Sequence, residues 1–214
     1  VVSSGFADSG AFANVVTGTC VGDVTVSAAE ADGWRFDVSR SRSADGDVLR
    51  IALTRAAEAA PPKFDVSFSV PQHDIHFVWN TAAENPALPP KWHRGITSSL
   101  TKNMPLVALL NANDEAKVLF AASEAVLPVQ CRAGLREENC TVPCALSFFT
   151  QPVSPTKAYA VEILLRRPNG CWADAVRDAT AWMEEAGGYR PMASPDAAFD
   201  PLYSTWDAFT QDVS

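Results

Sequence analysis

The residues best suited to chemistry stand side by side near the end of the chain. Trp206 and Asp207 lie in D-P-L-Y-S-T-W-D-A-F-T-Q-D-V-S, from Asp200 to Ser214. An indole stacks on the apolar face of a pyranose and a carboxylate accepts hydrogen bonds from its hydroxyls, so the pair suits substrate binding of a sugar. By spacing alone, a buried Trp beside a solvated Asp is the commoner arrangement. Leu202, Tyr203, Thr205 and Trp206 form an apolar and β-branched run behind a proline. That pattern predicts a strand carrying its working residues at its C-terminal end, as the strands of a (β/α)8 barrel do.

The remaining constellations carry less. His73 and His76, in H-D-I-H, read as strand residues whose side chains point to opposite faces, which speaks against shared metal ligation. Cys140 and Cys144 have a spacing a metal clip could use, but no companion pair exists and the histidines, His93 included, are distant in sequence. No metal and no cofactor is therefore expected. Asp74 with Asp114, or Glu137 with Glu138, could be offered as a glycosidase carboxylate pair, but each acid sits in an apparent turn, where such residues are expected anyway. The nucleophile elbow, the phosphate-cradling glycine loop and the H-E-x-x-H pattern are absent. Trp79 and Trp92 offer aromatic platforms, the second inside the proline-rich loop N-P-A-L-P-P-K-W-H-R, which cannot join a central ladder.

The elements that must position these groups read as mainly β. Val24 and Val26, then Trp34, Phe36 and Val38, then Leu49, Ile51 and Leu53 alternate with polar or small residues across turn-forming A-D-G and S-A-D-G-D, which predicts three consecutive strands in a meander. A short linker, A-A-E-A-A-P-P, leads to Phe64, Val66, Phe68 and Val70. Leu106 to Leu110 and Val118 to Ala122 flank the hairpin signal N-A-N-D-E, and further strands are expected over Val126 to Cys131, Val142 to Phe149 and Ala158 to Arg167. Together these predict a large antiparallel β-sandwich. The periodicity then switches: Trp172, Ala175, Val176, Ala179, Trp182, Met183 and Ala186 predict an amphipathic helix ended by Gly187 and Gly188.

Composition bounds the function classes. A hydrophobic content of 47% with 20% charged residues is that of a folded globular chain. A net charge of -8 without a basic stripe argues against nucleic acid as a partner. No apolar run approaches the roughly 18 to 20 residues that cross a bilayer, so no membrane partner is expected. No signal peptide is visible in V-V-S-S-G-F-A-D, from which a cytoplasmic location is expected. The odd set of five cysteines, irregularly spaced, fits buried free thiols better than a disulfide framework.

The ending T-W-D-A-F, followed by Q-D-V, resembles the first barrel strand of glycoside hydrolase family 36, the α-galactosidase and raffinose-synthase-like enzymes. Upstream, D-I-H-F-V-W-N, S-S-L-T-K-N-M-P-L-V-A-L-L-N, V-L-F-A-A-S, L-R-E-E-N and W-M-E-E before Y-R-P look like successive pieces of that family's N-terminal sandwich. The resemblance implies residues 1-167 as an N-terminal supersandwich, 168-199 as a connecting helix and linker, and 200-214 as the first strand of a truncated (β/α)8 barrel. It also implies a retaining glycosidase whose Asp nucleophile and Asp acid/base stand on later barrel strands, so that this chain holds no catalytic residue and is inactive alone. Trp206 and Asp207 are its substrate-binding residues; one branch of the family has Tyr after the Trp, so Asp207 is the less general of the two. The expected partner is an α-galactoside or related oligosaccharide, with a homo-oligomer as a further expectation. The alternative is a non-catalytic carbohydrate-binding or structural sandwich that uses Trp79 or Trp92 as its platform.

Overall fold

The computed structural model describes residues 2–6, 13–29, 31, 33–43, 46–71, 73–81, 95–98, 104–134, 140–150, 153–168 and 170–188. They form the strands β1 (Val2–Phe6), β2 (Ala13–Thr19), β3 (Gly22–Ala28), β4 (Arg35–Ser43), β5 (Gly46–Ala59), β6 (Phe64–Pro71), β7 (Phe77–Asn80), β8 (Gly95–Ser98), β9 (Leu106–Leu110), β10 (Ala116–Ala122), β11 (Val129–Ala133), β12 (Thr141–Phe148) and β13 (Thr156–Arg166), followed by the helix α1 (Trp172–Gly187). A seven-stranded sheet has the order β1-β4-β5-β13-β10-β9-β7 and a six-stranded sheet the order β2-β3-β6-β12-β11-β8. The pairings within both sheets are antiparallel. The predicted β-sandwich is the observed architecture.

Period-two alternation builds the core between the sheets. Phe36 and Val38 of β4, Leu49, Ile51 and Leu53 of β5, and Val161, Ile163 and Leu165 of β13 face Val24 and Val26 of β3, the apolar face of β6, and Val142, Cys144, Leu146 and Phe148 of β12. Phe64, the first residue of β6, is stacked on Phe148 with ring centroids 4.6 Å apart and edge-on to Phe36 at 6.1 Å. The run L-V-A-L-L in β9 has no polar alternate because both of its faces are covered. Val107 and Leu109 enter the inter-sheet core, while Leu106, Ala108 and Leu110 join a second cluster with Ala175, Ala179 and Met183 of α1.

The helix therefore lies on the outer face of the seven-stranded sheet. Its start is tied to the β9–β10 hairpin: the Trp172 amide donates to the Asp114 carbonyl at 3.3 Å and the Ala116 amide to the Gly170 carbonyl at 3.1 Å. This gives one of the helix's unpaired first-turn amides a partner without a side-chain cap. Gly188, at φ 67, takes the left-handed position that ends the helix, as the glycine pair predicts.

Several expectations are corrected. The first three predicted strands are not a meander, because β3 pairs with β2 and β6 in one sheet while β4 and β5 belong to the other. Both sheets bury their inner faces in one core, so alternation marks the buried face without saying which sheet owns it. The stretch read as a linker after Arg55 continues β5 to Ala59, where Thr156 of β13 pairs with it. The strand expected from Val126 starts at Val129, and Val126 is exposed. β1, β2 and β8 extend the sandwich beyond the predicted strands. No helix among the described residues is long and apolar enough to cross a membrane.

Candidate functional site

Trp206 and Asp207, with the predicted strand over 200-214, lie outside the described residues, as do Trp92, His93, Glu137 and Glu138. His73 and His76 are not strand residues: both are exposed in the segment before β7, and strand geometry does not separate them. Trp79 of β7 is half-buried, its ring 5.3 Å from that of Trp172 at 32°, so α1 already occupies part of its surface. Cys131 and Cys144 are buried free thiols as expected, whereas Cys140 and Cys171 are exposed, because they sit in the turn before β12 and at the start of α1. Burial pushes the Cys131 thiol up to about 12 and raises Cys144 further. At Cys20, burial first and the Asp47 carboxylate second act in the same direction, so none of these three is poised as a thiolate nucleophile. Among the described residues no three potential ligands gather as a metal site would require.

The offered Asp74–Asp114 pair resolves into something else. Both residues hold left-handed turn positions, at φ 61 and φ 58. Asn111, buried at the end of β9, organises the hairpin: its side-chain oxygen accepts from the Asn113 and Glu115 amides at 3.0 and 2.9 Å. Its Nδ2 donates to Glu115 at 2.8 Å and to Asp74 at 3.3 Å. Lys117 Nζ lies 2.9 Å from Glu115 and 3.6 Å from Asp74, so one ammonium bridges two carboxylates. Glycosidase chemistry needs one acid kept protonated beside one ionised. Here the Lys117 hydrogen bond first, and the Asn111 bond second, hold the Glu115 carboxyl below its usual range, so this cluster is a hydrogen-bonded brace of the hairpin.

Replacing Lys117 by Met should raise the Glu115 pKa toward the ordinary value of about 4.3, read by carboxyl-carbon NMR titration. An unmoved titration would remove Lys117 as its main cause. Because Glu115 is held low, its stabilisation is complete above about pH 4.3 and is lost as pH falls through the lowered value. The Lys117 pKa is raised, by the Glu115 hydrogen bond foremost, so its share is complete below about pH 10.4 and is lost as pH rises past the raised value.

The sequence reading missed Asp47, taken as one turn residue in S-A-D-G-D. It is fully buried at the start of β5, where it accepts from Arg40 Nε at 2.7 Å and from the Cys20 amide at 2.5 Å. Arg40 also donates to the Gly18 carbonyl. One carboxylate thus ties the β4–β5 hairpin of one sheet to the β2–β3 turn of the other. Gly46 beside it admits no side chain, since a Cβ there would lie 2.2 Å from the Leu165 carbonyl oxygen. The signal was present in β4: after Phe36 and Val38, the next inward position is Arg40, and an inward guanidinium needs a partner.

Two concavities border α1. One, of about 290 Å³ near the helix start, is lined by Arg166 and Asp178, 3.7 Å apart, and by Asp174, which pairs with Arg177 at 2.6 Å. Its acids already have basic neighbours. The other, of about 350 Å³, runs between the helix and the outer face of the seven-stranded sheet, lined by Ser39, Arg40, Ser41, Val48, Arg50, Glu162 and Trp182.

No protein-family model and no curated protein matches the sequence. Solved structures of similar layout include an α-N-acetylgalactosaminidase from Bifidobacterium bifidum (15% identity, 87% of this chain and 31% of that one, TM-score 0.45). A putative aldose 1-epimerase from Escherichia coli K12 aligns at 9% identity over 78% of this chain and 69% of its own, with a TM-score of 0.44. A 4-α-glucanotransferase from Thermococcus litoralis aligns at 10% identity over 73% of this chain, with a TM-score of 0.39. The chain spans 23% of the glucanotransferase and 31% of the N-acetylgalactosaminidase. At these scores none of them assigns the chain to a family.

Proposed function

We propose that this chain is the N-terminal, non-catalytic portion of a glycoside hydrolase resembling family 36, acting on α-galactosides within a longer protein. The observation that carries the reading is the order along the chain. A two-sheet sandwich is followed by a helix laid on its outer face, and then by Y-R-P and T-W-D-A-F. In this reading Trp206 and Asp207 meet the substrate at the end of the first barrel strand, while the nucleophile and the acid/base belong to later strands. Among the described residues, Asp74 and Glu115 are bridged by Lys117, which holds the Glu115 carboxyl low and so does not suit a general acid. The rival reading, a sandwich that stacks sugars on Trp79 or Trp92, is weakened at Trp79, because Trp172 packs against that ring.

The test is an assay of the 214-residue chain on an aryl α-galactoside. The expected result is no hydrolysis above the buffer rate. Robust turnover that a single Asp or Glu substitution in this chain lowers by several orders of magnitude would overturn the assignment, because losses of that size mark a nucleophile or general acid.

A further inference from the structure

The groove beside α1 is not used by the proposal above, and its lining has a chemistry of its own. On β4 the odd-numbered residues point away from the core, on β5 and β13 the even-numbered ones, as burial of their neighbours dictates. Ser39 pairs in register with Arg50, and Arg50 with Glu162. Residues bearing a hydroxyl, a guanidinium and a carboxylate therefore stand in one row across three adjacent strands, whose backbones lie about 4.8 Å apart. Trp182 of α1 forms the wall beside them, and Val48 the apolar floor at the next outward position of β5.

The simplest account of such a row is a cross-strand ion pair. Yet among the described residues no ion pair closes between Arg50 and Glu162, so each keeps its hydrogen-bonding capacity toward the groove. The charges also discriminate. Arg40, which lines the groove as well, is already paired with the buried Asp47. An anion such as phosphate would meet Glu162 and a cation would meet Arg50, whereas a neutral polyhydroxyl ligand can donate to the carboxylate and accept from the guanidinium at once. An indole edge or face supplies the apolar contact that a sugar ring offers and a simple polyol lacks. A volume of about 350 Å³ stands at the low end of ligand sites, room for one ring and not for an extended oligosaccharide.

We propose that this groove is a binding site for a single neutral pyranose unit, held by Arg50 and Glu162 and stacked on Trp182. It uses residues other than Trp206 and Asp207. The inference deepens the carbohydrate reading and rests on it only for the ligand class. The test uses methyl α-D-galactopyranoside and methyl α-D-glucopyranoside as probes on the full chain, followed by saturation-transfer NMR and calorimetry. Saturable binding is expected, with a Kd of about a millimolar for so small a ligand. Trp182→Ala should weaken it about tenfold. Arg50→Met and Glu162→Gln, both on the sheet surface, should each weaken it comparably while the far-UV circular dichroism stays unchanged, which separates lost binding from lost folding. No saturable binding of either glycoside overturns the proposal, as does binding that all three substitutions leave intact or that inorganic phosphate displaces. Such a failure leaves the hydrolase assignment standing, because that rests on the separate aryl α-galactoside assay.

Discussion

Substituting Phe64 by alanine should lower the unfolding free energy by about 4 kcal/mol, because burial is lost and a cavity is left that rigid neighbours cannot fill. Phe64 is fully buried on β6 and touches aromatic rings of both sheets. It stacks on Phe148 of β12 in its own sheet and reaches across to Phe36 of β4 and Tyr159 of β13, with centroids 6.1 and 6.3 Å away. Collapse around the gap is resisted because Tyr159 is itself anchored: its hydroxyl donates to Glu124 at 2.5 Å, and Glu124 also accepts from the Val126 and Leu127 amides. Phe64→Leu, which keeps most of the volume, should cost about 1.5 kcal/mol or less. Urea unfolding followed by circular dichroism reads both. A loss under about 1 kcal/mol for the alanine variant would show that the neighbouring side chains close the gap and do not hold it open.

A comparable effect is expected from Asp47→Ala, by a different route. Removing one member of a buried pair strands the other, which typically costs 3–5 kcal/mol, and here the figure should be about 3 because Arg40 keeps 27% of its side chain exposed and can be partly rehydrated. The Cys20 amide loses its acceptor at the same time. Asp47→Asn should cost less than the alanine variant, since its amide oxygen can still accept from that N–H. Equal losses for Asn and Ala would mean that charge alone, and not the hydrogen bond to the opposite sheet, carries the contribution.

How much of this was legible in the residues differs from element to element. The alternation in Phe64, Val66, Phe68 and Val70, and in Val161, Ile163 and Leu165, identifies buried faces, because a strand turns each successive side chain to the opposite side whatever its neighbours are. The helix and its end at Gly188 follow from three- and four-residue spacing and a glycine free to adopt a positive φ. N-A-N-D-E marks the β9–β10 hairpin, because the side-chain oxygen of Asn111 can bind the turn's own amides. The candidate site was less legible. Asp47 reads as a turn acid, and only the approach of the β2–β3 turn makes it a buried acceptor. Ser39, Arg50, Glu162 and Trp182 are scattered over more than a hundred residues and carry no spacing signal, since register across three strands and the seat of the helix bring them to one groove.

The chain's own pattern thus determined the β-rich class, the faces to be buried, the hairpin and the terminal helix, all consequences of forces acting within a few residues. Tertiary structure alone decided which sheet each strand joins, which face α1 covers, and which polar groups meet. Two inner faces of like hydrophobicity are interchangeable to a local rule, and contacts made across the sheets, such as the rings around Phe64 and the tie through Asp47, separate one arrangement from the other.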